Sequence, residues 1–243
     1  YFLSAQSGNT GGLTWAEVSA GITSDAQGNT VAGTTAGDSF SGTDAEDNSL
    51  FGKNAGTAIT TGDGNTAVGD RALEDTTTGS SNTGIGQQAL SNNTTASSNT
   101  AVGMQSLLTN TTGASNVAVG KDALRANETA SNNTAVGTDA LTANTTGTQN
   151  VAVGGLGLSA NTTGNYNTSM GYASLDANTT ASNNSAFGYN ALGGNTTGAS
   201  NVAVGFGALD ANTTGGNNTA IGYNSLTNST TAGDNVAVGK DSM

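Results

Sequence analysis

Asn133-Thr134-Ala135-Val136-Gly137-Thr138-Asp139-Ala140-Leu141-Thr142-Ala143-Asn144-Thr145-Thr146-Gly147-Thr148-Gln149 is one turn of a repeat that fills most of this chain. Segments of the same form begin at Asn65, Asn82, Asn99, Asn116, Asn133, Asn150, Asn167, Asn184, Asn201, Asn218 and Asn235, each 17 residues after the last. Asn48 opens a degenerate copy one period earlier, and a looser one begins at Asn29 with Asn-Thr-Val-Ala-Gly. The latter needs two extra residues before Asn48, which fall in the acidic stretch from Asp38 to Asp47. Position five is Gly in every copy, from Gly52 to Gly239. Position nine is Leu from Leu73 to Leu226, position twelve is Asn from Asn93 to Asn212, and position fourteen is Thr from Thr61 to Thr231. No insertion or deletion interrupts the period after Asn48. Loops of a globule tolerate length changes. A coil that stacks on identical neighbours does not, because one extra residue shifts every later side chain out of register.

A period of 17 residues is shorter than that of helical repeats. Gly, Asn and Thr are also poor helix formers. Thr-Ala-Val suits a short strand, and the Gly after it supplies a turn. Ala-Leu at positions eight and nine reads as a second short strand or a buried corner. Asn-Thr-Thr-Gly reads as another turn. The expectation is an all-β parallel β-solenoid or β-roll, with strands of successive coils about 4.8 Å apart. Residues 1–28 form a connecting segment, 29–47 a divergent first coil with the acidic loop, and 48–243 the regular coils.

Stacking sets like on like. Asn at twelve and Thr at fourteen are expected to form in-register ladders, which stabilise stacked strands. Val or Ile at four and Leu at nine are the only sizeable apolar columns, a narrow core for 17 ordered residues. Ala at three and eight offers a second buried face. Together these point to lateral association, with three chains side by side as the expected fibre; the alternative is a single narrow core that takes all four positions.

Composition excludes several classes. The formal net charge is −12, which disfavours nucleic acid and anionic membrane surfaces, since both require Lys/Arg clusters. No apolar run is long enough to span a bilayer. With no His and no Cys, the usual acid–base, nucleophilic and transition-metal chemistry lacks its side chains. The expectation is therefore no enzyme, no cofactor and no metal. Asp38, Asp44, Glu46 and Asp47 could hold a hard cation, but a solvated acidic loop is the simpler reading. The chain lacks an initiator Met and stops inside a repeat, which implies a piece of something longer.

Position six breaks the uniformity. It holds Asp70, Gln87, Met104, Lys121, Thr138 and Gly155, then Tyr172, Tyr189, Phe206 and Tyr223, and finally Lys240. Four aromatics in successive coils form a stripe, either a packing ladder or a surface for the sugar rings of a cell-surface glycan. Adjacent Thr columns at thirteen and fourteen also raise an ice-binding face, weakened because neighbouring side chains point to opposite faces.

The Asn-[Thr/Val]-Ala-Val-Gly-x-x-Ala-Leu signature resembles the left-handed parallel β-roll heads of trimeric autotransporter adhesins. It is more similar still to the repeats of bacteriophage tail fibres, as in Gly188-Tyr189-Asn190-Ala191-Leu192 and Gly222-Tyr223-Asn224-Ser225-Leu226. Tyr1-Phe2-Leu3 followed by Leu13-Thr14-Trp15-Ala16-Glu17-Val18 resembles a segment that precedes such repeats in phage fibre proteins. The resemblance implies a homotrimeric shaft on a virion surface, used in host attachment. A bacterial surface adhesin head is the alternative it leaves open, and an ice-binding solenoid is a third reading.

Overall fold

The computed structural model describes residues 3–5, 15–17, 22–41 and 44–243. Tyr1, Phe2, Leu13, Thr14 and Val18 of the N-terminal signature lie outside the described residues. Among the described residues the chain is all-β, a parallel β-solenoid of 17-residue coils. Short strands β1 (Leu3–Ala5) and β2 (Trp15–Glu17) pair antiparallel. β3 (Thr23–Ser24) pairs antiparallel with β4 (Thr30–Ala32). From β4 onward every pairing is parallel, through β5 (Ser49–Phe51), β6 (Thr66–Val68) and the rest to β16 (Val236–Val238). β3 to β16 make one 14-stranded sheet in strict chain order.

Each coil contributes one strand, at positions two to four, paired residue for residue with the next: Thr134 with Val151, Ala135 with Ala152, Val136 with Val153. Of the two readings of Ala-Leu, a second short strand or a buried corner, the structure has the corner: Ala140 and Leu141 lie in a turn and are fully buried. Leu at position nine sits in the left-handed region, with φ of 51° at Leu141 and 53° at Leu192. That conformation costs a non-glycine residue roughly 1–2 kcal/mol. Full burial of a leucine is worth about 1.5–3 kcal/mol, and Leu73 through Leu209 are completely buried. Burial offsets the strain, so position nine takes a large apolar side chain where glycine would be easier for the backbone.

The first two coils solve the same packing problem differently. Position nine there is Gly37 or Gly56, both left-handed. The missing volume comes from Val31 and Phe40 in one coil, and from Leu50 and Ile59 in the next, at positions three and twelve. A side chain added at Gly56 would collide with Leu50 and Ile59 at 2.8 Å.

Position three, not position four, faces the interior. Ala67, Ala101, Ala135, Ala186 and Ala220 are fully buried, as are Ala72, Ala140 and Ala208 of position eight. These two columns and the leucines form one narrow core. The strand alternates sides with period two, so positions two and four both point outward. Val68, Ile85, Met170, Phe187 and Ile221 are accordingly exposed. Val and Ile of position four, expected from the sequence to be core columns, therefore line the outer face instead.

Outside the strands the backbone still bonds from coil to coil. Leu141 donates to the Gly157 carbonyl at 2.9 Å and Thr145 to the Thr162 carbonyl at 3.0 Å. Gly at position five permits this close approach, with φ near +137° at Gly137, where a Cβ would stand 2.6 Å from the Gly154 carbonyl carbon. A side chain at five would force coils apart.

Two buried asparagine columns lock the stack. Asn144 donates its side-chain amide to Asn127 Oδ1 at 3.0 Å and to the Gly147 carbonyl at 2.9 Å. Asn133 of position one donates to that same Gly147 carbonyl at 2.9 Å. Its backbone N–H reaches Asn116 Oδ1 at 3.0 Å. Each coil is thus clamped internally and tied to its neighbour by amides whose polar groups would otherwise be costly to bury. The position-twelve ladder matches expectation; the one at position one was missed. The bonded threonine is at thirteen rather than fourteen: Thr145 Oγ1 donates to the Thr162 carbonyl at 3.1 Å, while Thr146 is exposed.

Candidate functional site: an exposed aromatic column

Position six lies just past the strand, across the position-five glycine from the exposed position four. Its side chains stand outside the coil, one above another. Tyr172 and Tyr189 stack with ring centroids 5.8 Å apart and planes 13° from parallel. Tyr189 and Phe206 follow at 5.1 Å and 10°, and Phe206 and Tyr223 at 5.2 Å and 11°. Lys240 ends the column with its ammonium 5.8 Å from the Tyr223 ring, a cation–π distance. All four rings named from the sequence therefore belong to one stack.

The geometry has a chemical consequence. Tyr189 and Phe206 each have a ring on both faces, and Tyr223 has a ring on one face and a cation towards the other. About half of each side chain is exposed, and what these three present to solvent is ring edge and, for the tyrosines, hydroxyl. Sugar recognition through CH contacts requires ring faces, which the stack uses internally at Tyr189 and Phe206; at Tyr172 only one face is stacked, and the rung beyond the other is Gly155. The surface is suited to edge contacts and hydroxyl hydrogen bonds.

Beside the column runs the outer face of the sheet. Positions two and four carry no charged residue from Thr30 to Val238. Next to the rings this face is most apolar: Met170, Phe187, Val204 and Ile221 are all exposed and each lies two residues before an aromatic. Sequence reasoning found the rings and missed this face, because it assigned position four to the interior.

The acidic loop shows no comparable convergence. Among the described residues no group of three or more acidic side chains gathers to hold an ion. Glu46 and Asp47 use their backbone N–H groups on Asp63 Oδ1 at 2.9 Å and the Gln27 carbonyl at 3.0 Å. A cavity of about 150 Å³ sits at the N-terminal end, bordered by Thr23, Ser24, Asp25, Asn29, Val31 and Phe40. Asp25 is held below its usual carboxylate range by Asn29, whose side-chain amide donates to it at 2.9 Å. That pair ends the position-one asparagine column and is accounted for by capping. Among the described residues no helix is long and apolar enough to cross a membrane. Compared with known proteins, the chain matches no family, no curated protein and no solved structure.

Proposed function

We propose that this chain is the structural shaft of an extended fibre in which copies associate side by side, three being the expected number, and that the fibre belongs to a virion and serves host attachment. The observation that carries this reading is the uncharged outer sheet face beside an unbroken 17-residue stack. A monomer with so thin a core gains little from Val, Ile, Met and Phe held in water. A row of solvent-facing apolar side chains at position four, flanked by the uncharged Thr, Ser and Val of position two, fits an interface better than a free surface. The face is about 10 Å wide and about 60 Å long on ordinary strand spacing, or roughly 600 Å² per chain. That approaches the roughly 800 Å² per partner of a stable interface, before the rings are added. The alanines of positions three and eight line the core, so positions two and four supply the surface for association.

Light scattering tests it. A mass of three times the 23.5 kDa chain, with electron micrographs showing straight rods, is the expected result. A monomer at micromolar concentration overturns the fibre.

The exposed rings favour a second reading, a surface adhesin that binds its ligand directly. Tyr189→Ala with Phe206→Ala separates the two. Lost cell or glycan binding with unchanged melting supports the adhesin, whereas lower melting alone supports the shaft.

A further inference from the structure

Lateral association of a uniform repeat has a built-in ambiguity. Along the outer face most coils present Thr or Val at position two and Val or Ile at position four. A copy displaced by one coil meets nearly the same surface and gives up only the overlap of a strand at each end. Contacts that repeat identically cannot distinguish registers, and flat, self-similar strand arrays are prone to slippage for that reason. Copies that assemble in one register need features that do not repeat.

From Tyr172 to Tyr223 the surface departs from the repeat most strongly. Position six changes from Thr138 and Gly155 to four successive rings, then to Lys240. Position four changes over the first two of those coils to Met170 and Phe187, both exposed. Elsewhere on the regular coils only Phe51 interrupts the Val/Ile column. The rings are held in one stack, so they act as a rigid block bounded by a glycine on one side and a lysine on the other.

We infer that this aromatic block is a register key, an interaction surface for the same block on a second copy of this chain. Edges of the stacked rings, with Met170 and Phe187 beside them, meet their counterparts only when the copies are aligned. A slip sets rings against Gly155 or the Lys240 ammonium, and leaves apolar edges in water. Ring edges and flanking aliphatic groups are complementary contacts. A ladder serving intrachain stability alone has no need to stop sharply after four coils. The inference rests on the association of copies proposed above.

The chain has no cysteine, so introduced thiols report cleanly. Val119→Cys and Val153→Cys lie two coils apart on position four, about 9.6 Å along the axis, beyond the reach of a disulfide between registered copies. Chains carrying one or the other are mixed unfolded, refolded together and oxidised. In the native background, like–like disulfides are expected to exceed 119–153 disulfides by about tenfold or more, the ratio set by roughly 1.4 kcal/mol of register preference. With Tyr172→Thr, Tyr189→Thr, Phe206→Thr and Tyr223→Thr combined, the 119–153 product is expected to rise about tenfold while the assembled mass persists. Tyr172→Phe, Tyr189→Phe and Tyr223→Phe together, which keep the rings, are expected to retain the native pattern. Equal product ratios in the native and threonine chains overturn the key, as does a native assembly already scrambled. An assembled species with no disulfide overturns both the key and the face assigned to association. A monomeric mass overturns the association reading itself, and the key with it.

Discussion

Asn212 buries its side-chain oxygen without a hydrogen-bond partner because Ser229 occupies the next rung of the position-twelve column. In each coil from Asn110 to Asn212 the asparagine donates its amide to the oxygen of the one before, as Asn212 does to Asn195 at 2.8 Å. Serine is too short to continue the ladder, and its own hydroxyl is buried and unpaired. Replacing it, as Ser229→Asn, supplies a donor to Asn212 Oδ1. The expected gain is about 1 kcal/mol. Because stability in a solenoid is carried between neighbouring coils, it will appear as slower hydrogen exchange around residues 212–230 and a modest rise in melting temperature.

Inside the ladder the same chemistry runs in reverse. Asn144→Ala removes two donated bonds and leaves unpaired the one Asn161 amide N–H that now reaches Asn144 Oδ1 at 2.9 Å, the other staying on the Gly164 carbonyl. A loss of about 2–4 kcal/mol is expected, since a buried donor left unpaired costs about 1–3 kcal/mol on its own. Thr146→Ala, two residues away and exposed, is expected to change stability by less than about 0.5 kcal/mol. Urea unfolding of the two variants side by side checks the contrast; equal losses would contradict the assignment of the ladder to position twelve.

Gly155 is the rung at which the aromatic column stops. Its φ lies outside the left-handed region, and a Cβ there would make ordinary contact with the Tyr172 ring at 3.4 Å. Gly155→Tyr should therefore be accommodated and should add a fifth ring to the stack. A stabilisation of about 0.5–1.5 kcal/mol is expected from the added pair. Thermal unfolding measures it, and a near-ultraviolet circular dichroism increase reports the extra ring in an ordered setting.

Asp176 has its carboxyl pushed above the ordinary 3.8 by desolvation, against weaker backbone hydrogen bonds. An acid with a raised folded-state pKa binds its proton more tightly when folded. Its contribution is fully present below pH 3.8 and is lost as pH rises through the folded value. Asp176→Asn is therefore expected to stabilise the chain at pH 7 and to lose that advantage below pH 3.8. Denaturation midpoints at pH 7 and pH 3 give the comparison, and an equal shift at both would remove desolvation as the cause.

Much of the architecture was legible in the repeat. The strict phase, the invariant Gly at five and the run of Asn at twelve from Asn93 to Asn212 each reflect a demand that recurs at the same point of successive coils. The candidate column was legible for the same reason, since Tyr172, Tyr189, Phe206 and Tyr223 share one phase. What the residues left ambiguous was direction. Thr-Ala-Val states that two side chains face one way and the middle one the other, but not which side is inside. Hydrophobicity favoured Val; the space within the coil admits Ala, because leucine from position nine already fills it. Nor does propensity reveal that Leu141 adopts φ of 51°, since a strained backbone is repaid only by burial that the folded coil creates.

The sequence by itself determined the period, the parallel stacking of like on like and the phase of the aromatic block, because all three follow from which residues recur every 17 positions. Only the tertiary structure decided which face of the strand is buried, which threonine is bonded and that the rings stack face to face. Those depend on how much room one coil encloses and how closely the next approaches, and both distances are set by the backbone after it has closed.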